Sequence, residues 1–238
     1  MSPLLSHQTL LFDADDTLWE NNVYFERASE NFVTFLNHEK LTPEEIREVL
    51  DQFERQNVAA QRYGSRAFAA SLVDTYREIT GSRDEAELRA VERFGLDILD
   101  LEFEVMDAVD ETLTVLHDHH DLLMVTKGDR EEQQRKIDRS PVSEYFDEHI
   151  IVPEKRAGTF REIVGSFDLD HDRTWMIGNS TRSDVYPALE AGLNAILIPH
   201  AMTWHLEHIE QEHDTAWPGR FVEIPHFREL LDLFDHRK

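Results

Sequence analysis

The stretch LLFDADDTLW, residues 10–19, places three aspartates, Asp13, Asp15 and Asp16, within four positions directly behind an apolar run. Like charges this close repel one another, and an unpaired charge carried into an apolar interior is costly. The stretch is therefore either an exposed acidic turn or a place where positive charge gathers. Apolar runs of the same kind recur at Thr9 to Phe12, Leu122 to Val125, His149 to Val152, Thr174 to Ile177 and Ala195 to Ile198. They show no polar alternation, which marks strands buried on both faces. Helical stretches lie between the later runs, for instance Ser183 to Ala191 before Gly192. Strand–helix alternation of this sort predicts an α/β fold, a Rossmann-like parallel sheet.

The first two strands are separated by roughly 100 residues, far beyond ordinary loop length. That segment reads as consecutive helices. Thr42-Pro43-Glu44-Glu45 is a capping box with proline at the first helical position. Ser82-Arg83-Asp84-Glu85 has the same form and follows Gly81, which suits a helix stop. An all-helical domain is thus expected over residues 20–105, inserted after the first strand. The core would then comprise 1–19 and 106–238.

Composition excludes several classes of function. The 238 residues, 40% of them hydrophobic, suffice for a proper core. With 49 Asp+Glu against 24 Lys+Arg the net charge is −25, which opposes binding to nucleic acid or to an anionic membrane. Lysine occurs only at positions 40, 127, 136, 155 and 238. The acidic, lysine-poor balance suits a saline environment, but arginine-for-lysine usage also follows base composition, and nothing further rests on it. The absence of cysteine removes disulfides, thiolate catalysis and thiolate metal sites. No apolar run reaches the length of a membrane span, and no signal peptide opens the chain, so a cytoplasmic location is the default expectation.

In open parallel sheets ligands bind at the carboxyl ends of the strands. The residues following each apolar run therefore outline the site. They are Asp13-Ala14-Asp15-Asp16-Thr17, then Thr126-Lys127-Gly128-Asp129, then Pro153-Glu154-Lys155, then Gly178-Asn179-Ser180 with Asp184 beyond. Hard oxygen donors of this kind suit Mg²⁺. An aspartate can act as a nucleophile toward phosphorus, and a second can exchange protons with the leaving oxygen. Lys155 and a cation would offset the negative charge of Asp13 and a phosphate.

With these residues in order, the chain resembles the haloacid dehalogenase superfamily over nearly its whole length. Its motifs would be Asp13, Asp15 and Thr17 (DxDxT), then Thr126, then Lys155, then Asn179 with Asp184. The stretches TKGD, FDEHIIVPEK and GNSTRSD resemble a phosphatase-like subgroup. The resemblance implies the following roles. Asp13 attacks phosphorus, and Asp15 is the general acid and base. Mg²⁺ is held by Asp13, the Asp15 carbonyl, Asn179 and Asp184. Thr126 and the amides around Lys127 and Gly128 grip the phosphoryl oxygens. The helical insertion would be a type-1 cap. The implied substrate is a small phosphorylated metabolite, and the chain a monomer or homodimer.

Two residues depart from the family pattern. Asn179 stands where many relatives carry aspartate, so Asp184 is expected to bear more of the metal binding. Asp16 stands where glycine is common and has no assigned role. A dehalogenase of the same fold is an alternative, although such enzymes lack an acid at the position of Asp15, since a halide needs no proton. A phosphomutase and a non-catalytic binding module are further alternatives. In the insertion, Gly64 within Gln61-Arg62-Tyr63-Gly64-Ser65-Arg66 is expected to break a helix, with Arg66 or Arg62 as candidate substrate contacts. Trp19, Asn21 and Asn22 lie at the entry to the insertion, with packing or turn roles favoured over substrate contact. The histidines at 117, 119 and 120 precede a strand, opposite the active edge. His205 and His208 have a helical spacing that suits zinc but read as surface residues.

Overall fold

The computed structural model describes residues 7–61, 63–204, 207 and 217–234. The candidate residues Arg62, His205 and His208 lie outside them. The chain separates into two compact units, Met1–Glu20 with Phe103–Lys238, and Asn21–Glu102.

The first unit is built on a six-stranded, wholly parallel sheet among the described residues, in the order β3-β2-β1-β4-β5-β6. Its strands are β1 (Thr9–Phe12), β2 (Asp121–Lys127), β3 (Glu148–Val152), β4 (Thr174–Gly178), β5 (Asn194–Leu197) and β6 (Phe221–Glu223). Alternate residues of each central run feed opposite faces. Leu10, Phe12, Leu122, Met124, Trp175, Ile177 and Ile196 enter one core. Leu11, Leu123, Val125, Met176, Ala195 and Leu197 enter the other. This double burial is why the runs lack alternation. β6 was not expected from the sequence. It is a three-residue edge strand, exposed at both ends, and so carries no apolar run.

The second unit holds α1 (Asn22–Leu36), α2 (Pro43–Gln61), α3 (Ser65–Thr80) and α4 (Glu85–Leu96). They close over a core of Phe32, Ile46, Leu50, Phe68, Leu72 and Val91. The expected capping box at α2 forms: Thr42 N donates to Glu45 Oε2 at 2.8 Å, and Glu45 N donates to Thr42 Oγ1 at 3.2 Å. The second cap is shifted from the expected one. Asp84 rather than Ser82 caps α4, accepting from Ala86 N and Glu87 N, while Ser82 Oγ turns to Glu87. Gly64 breaks the helical run as expected, standing at the start of α3 with φ +116°.

Around the sheet lie α5 (Val109–His117), α6 (Arg130–Arg139), α7 (Ala157–Phe167), α8 (Tyr186–Glu190) and α9 (Leu230–Phe234). A π-helical turn, Thr181–Val185, precedes α8, where one continuous helix was expected. The connections run outward to one side from β1 through β2 to β3, and to the other from β4 through β5 to β6. β1 and β4 therefore flank the topological switch point, where a crevice opens at the carboxyl ends. No helix among the described residues is long and apolar enough to cross a membrane.

Candidate active site

Asp13 leaves β1 at the switch point, its backbone N–H donating to Ile177 O of β4 at 2.9 Å. Its side chain is buried. Thr17 Oγ1, one turn on, lies 3.1 Å from Asp13 Oδ2 and 3.3 Å from Asn179 Oδ1, sharing one proton between them. Asn179 is oriented from its other end, Nδ2 donating to Thr203 Oγ1 at 3.0 Å. Its amide oxygen thus points to the same space as the Asp13 carboxylate.

Lys155 ties two loops together. Its Nζ donates to Asp13 Oδ1 and, at 2.7 Å, to Asp184 Oδ1. Asp184 Oδ2 accepts from Ser180 N at 3.0 Å. Gly178 leaves room for this carboxylate: a Cβ there would lie 2.2 Å from Asp184 Oδ2. All three charged groups are buried. Burial raises the Asp13 carboxyl to about 7; Asp184 adds to the rise, and Lys155 opposes it. Burial alone would lower Lys155, but the two aspartates more than reverse this and hold its amine well above the ordinary value. One lysine against two buried carboxylates leaves the cluster a positive charge short. Two carboxylate groups and an amide oxygen around that deficit fit a hard divalent cation. Asp13, Asp184 and Asn179 are the groups brought together here that could hold one.

Thr126 lies within β2, paired with Ile151, rather than after the strand. It is buried, and its Oγ1 accepts from Gln133 Nε2 at 2.5 Å. Lys127 follows it, but its side chain turns to Ser183 Oγ (2.7 Å) and to the carboxylate of Glu207. Glu207 also accepts from Ser180 Oγ (2.8 Å) and Ser183 Oγ (2.5 Å). Burial works to raise Glu207, yet Lys127 and these hydroxyls win and lower it. The Lys127 side chain is therefore committed to Glu207 and Ser183. Gly128 N is already engaged with Val152 O at 3.1 Å.

Asp15 is more heavily bonded than its sequence context suggests. It accepts from Trp19 Nε1 (2.8 Å), from Lys136 Nζ on both oxygens (2.9 Å each) and from Gln133 Nε2 (3.1 Å). Trp19 itself is fully buried, in keeping with a packing role. Asp16 adopts a left-handed conformation (φ +61°) that glycine meets without strain. Asp16, Glu20 and His200 each bring one metal-capable atom within 4.8 Å of the others. Arg66 is exposed on α3 in the second unit. His120 is a core residue, accepting from Gln8 N and bonded to Phe234 O. Gln133, Lys136 and Glu207 were missed by the sequence reading. A usable signal existed for one of them: in a chain with five lysines, Lys136 is a third lysine at this edge.

A parallel sheet with an aspartate–lysine–aspartate cluster at its switch point defines the class as a Rossmann-like hydrolase framework. The chain belongs to the haloacid dehalogenase-like hydrolases, whose family model matches residues 7–192. Comparison with curated proteins finds no match. Among solved structures, a haloacid dehalogenase-like family hydrolase from Xanthomonas campestris is similar, with 28% identity, 94% of this chain and 92% of that chain covered, and a TM-score of 0.75. A 2-haloacid dehalogenase from Pseudomonas syringae pv. tomato DC3000 shares the fold at 17% identity, 95% and 97% coverage and TM-score 0.61. A predicted phosphoglycolate phosphatase from Haemophilus somnus 129PT does so at 16%, 95% and 97%, and 0.62.

Proposed function

We propose that this hydrolase is a phosphatase of small phosphorylated metabolites that works through an aspartyl-phosphate at Asp13 and requires Mg²⁺. The observation that carries the reading is the second carboxylate, Asp15, fixed beside the first. Displacing an alkoxide from phosphorus leaves a strong base that must be protonated, whereas a halide leaves carbon without a proton. Asp15 has no task in dehalogenation and an evident one in ester cleavage.

Asp13 uses a carboxylate oxygen to form a bond to phosphorus as the P–O bond to the alcohol breaks, and Asp15 delivers its proton to the departing oxygen. Asp15 then takes a proton from water, which attacks the aspartyl-phosphate, releases phosphate and restores Asp13. Lys155 holds Asp13 in line and offsets its charge. Thr126 donates its hydroxyl to a phosphoryl oxygen, the Gly128 amide being held by Val152 O. A bound divalent cation supplies positive charge to the transferring phosphoryl group. The helical unit is proposed to act as a cap that selects the substrate, with Arg66 a candidate contact.

The test is phosphate release from a panel of phosphorylated metabolites, run beside halide release from 2-haloacids. Phosphate release that needs Mg²⁺, stops with chelator and is lost in Asp13→Asn is expected. Asp15→Asn should lower it by about 10²- to 10⁴-fold. Halide release that survives Asp15→Asn would establish the dehalogenase instead.

A further inference from the structure

Asp15 is over-determined. Trp19 Nε1, Lys136 Nζ (to both oxygens) and Gln133 Nε2 make four contacts of 2.8 to 3.1 Å to its two oxygens, the pattern of the ionised form, and one of them opens when Asp15 carries the proton it passes on. Gln133 and Lys136 stand three residues apart on α6 and so share a face. The helix is started by Asp129, whose side chain accepts from Glu132 N at 3.0 Å, directly after the β2 loop. Gln133 is buried, and the Lys136 side chain is 15% exposed. Taking an ammonium and an amide this far out of water gains little stability over apolar side chains of similar size. The amide of Gln133 also lies 2.5 Å from Thr126 Oγ1. One helix face therefore touches both the group that handles the proton and the hydroxyl placed for the phosphoryl group.

We propose that Lys136 and Gln133 are positioning residues. They hold the Asp15 carboxylate in the orientation that serves the leaving-group oxygen, and Gln133 fixes that orientation relative to Thr126. Neither residue belongs to the motifs that carry the family resemblance. The proposal rests on the phosphatase reading of Asp15 given above. Its consequence is specific. Removing the clamp harms the departure of groups that need a proton and spares those that do not.

The experiment compares two esters in the full chain with Mg²⁺: the alkyl phosphate that the native chain hydrolyses fastest, and p-nitrophenyl phosphate, whose phenolate leaves unprotonated. Release of the leaving group is followed in a single turnover with enzyme in excess, so that only formation of the aspartyl-phosphate is read. For Lys136→Met the expected result is a loss of about 100-fold or more on the alkyl ester and of less than about fivefold on the nitrophenyl ester, the span of general-acid assistance. Lys136→Arg, which keeps two-pronged donation, is expected to recover most of the alkyl rate. Gln133→Leu is expected to show the same selectivity and to raise KM for both esters through its link to Thr126. Retained nitrophenolate release shows that each variant is folded. Equal losses on the two esters, or none on the alkyl ester, overturn the proposal and leave the phosphatase reading intact. A native chain that releases neither leaving group overturns both.

Discussion

Lys155 is 3% exposed and lies between two carboxylates that are themselves buried. Its charge is what makes their burial tolerable, so Lys155→Met should unfold more easily as well as lose turnover. Removing one partner of a buried ion pair costs about 3–5 kcal/mol. Urea denaturation of metal-free protein measures it, and a loss below about 1 kcal/mol would mean that the aspartates are satisfied by protonation alone. At this scale the sequence was legible in placement: polar residues that follow parallel strands gather at one edge because the strands all end there. It was not legible in partnership. Gln133 and Lys136 lie on a helix of low hydropathy, where pattern reads a solvated face, and only the fold turns that face toward Asp15. Likewise, nothing local in Thr126-Lys127-Gly128 shows that the lysine stem leaves the site for Glu207, eighty positions on.

Among the elements, the strands with apolar residues on both faces were readable, as was the edge strand β3 with its apolar Ile150 to Val152, whereas the edge strand β6 was not. β6 is three residues long with an exposed face, and its position depends on pairing with β5 rather than on its own composition. The π-helical turn before α8 was not readable either. It keeps Asp184 and Ser180 in register with Lys155 and Glu207, which is tertiary information. Helix packing in the second unit makes a sharper prediction. Gly95 of α4 lies so close to α3 that an added Cβ would be 2.6 Å from Ala69 Cα and 2.8 Å from Ala69 N. Backbone cannot step aside as a flexible side chain does. Alanine improves intrinsic helix propensity over glycine by about 1 kcal/mol, yet Gly95→Ala should destabilise the chain by about 1–3 kcal/mol from overpacking. A thermal or urea midpoint that rises in Gly95→Ala would show that the two helices separate freely and that the close approach has no energetic weight.

For the molecule as a whole, acidity sets how stability depends on pH and salt. Glu54 on α2 is raised to about 8, first by burial and then by Asp51 and Glu26, against the pull of Arg47 and Arg55. Its ordinary value is 4.5. Between these two values the folded chain keeps a proton that the unfolded chain has released, so stability must fall as pH rises through that window. In metal-free protein Asp13 adds the same sign between 3.8 and about 7. Glu54→Gln, which holds the neutral form permanently, should flatten the decline; an unchanged slope would exclude Glu54 as its source. The net charge of −25 acts in the same direction, since compaction brings mutually repelling carboxylates together. Salt screens that repulsion, the Debye length shrinking from about 10 Å at about 0.1 M to about 3 Å at about 1 M. The urea midpoint should therefore rise with sodium chloride and rise more near pH 8 than near pH 5, where part of the carboxylate charge is neutralised. An uncharged osmolyte at matched osmolarity separates screening from solvent exclusion, because exclusion has no reason to depend on carboxylate ionisation. A salt response equal at both pH values, and reproduced by the osmolyte, would remove charge repulsion as the cause.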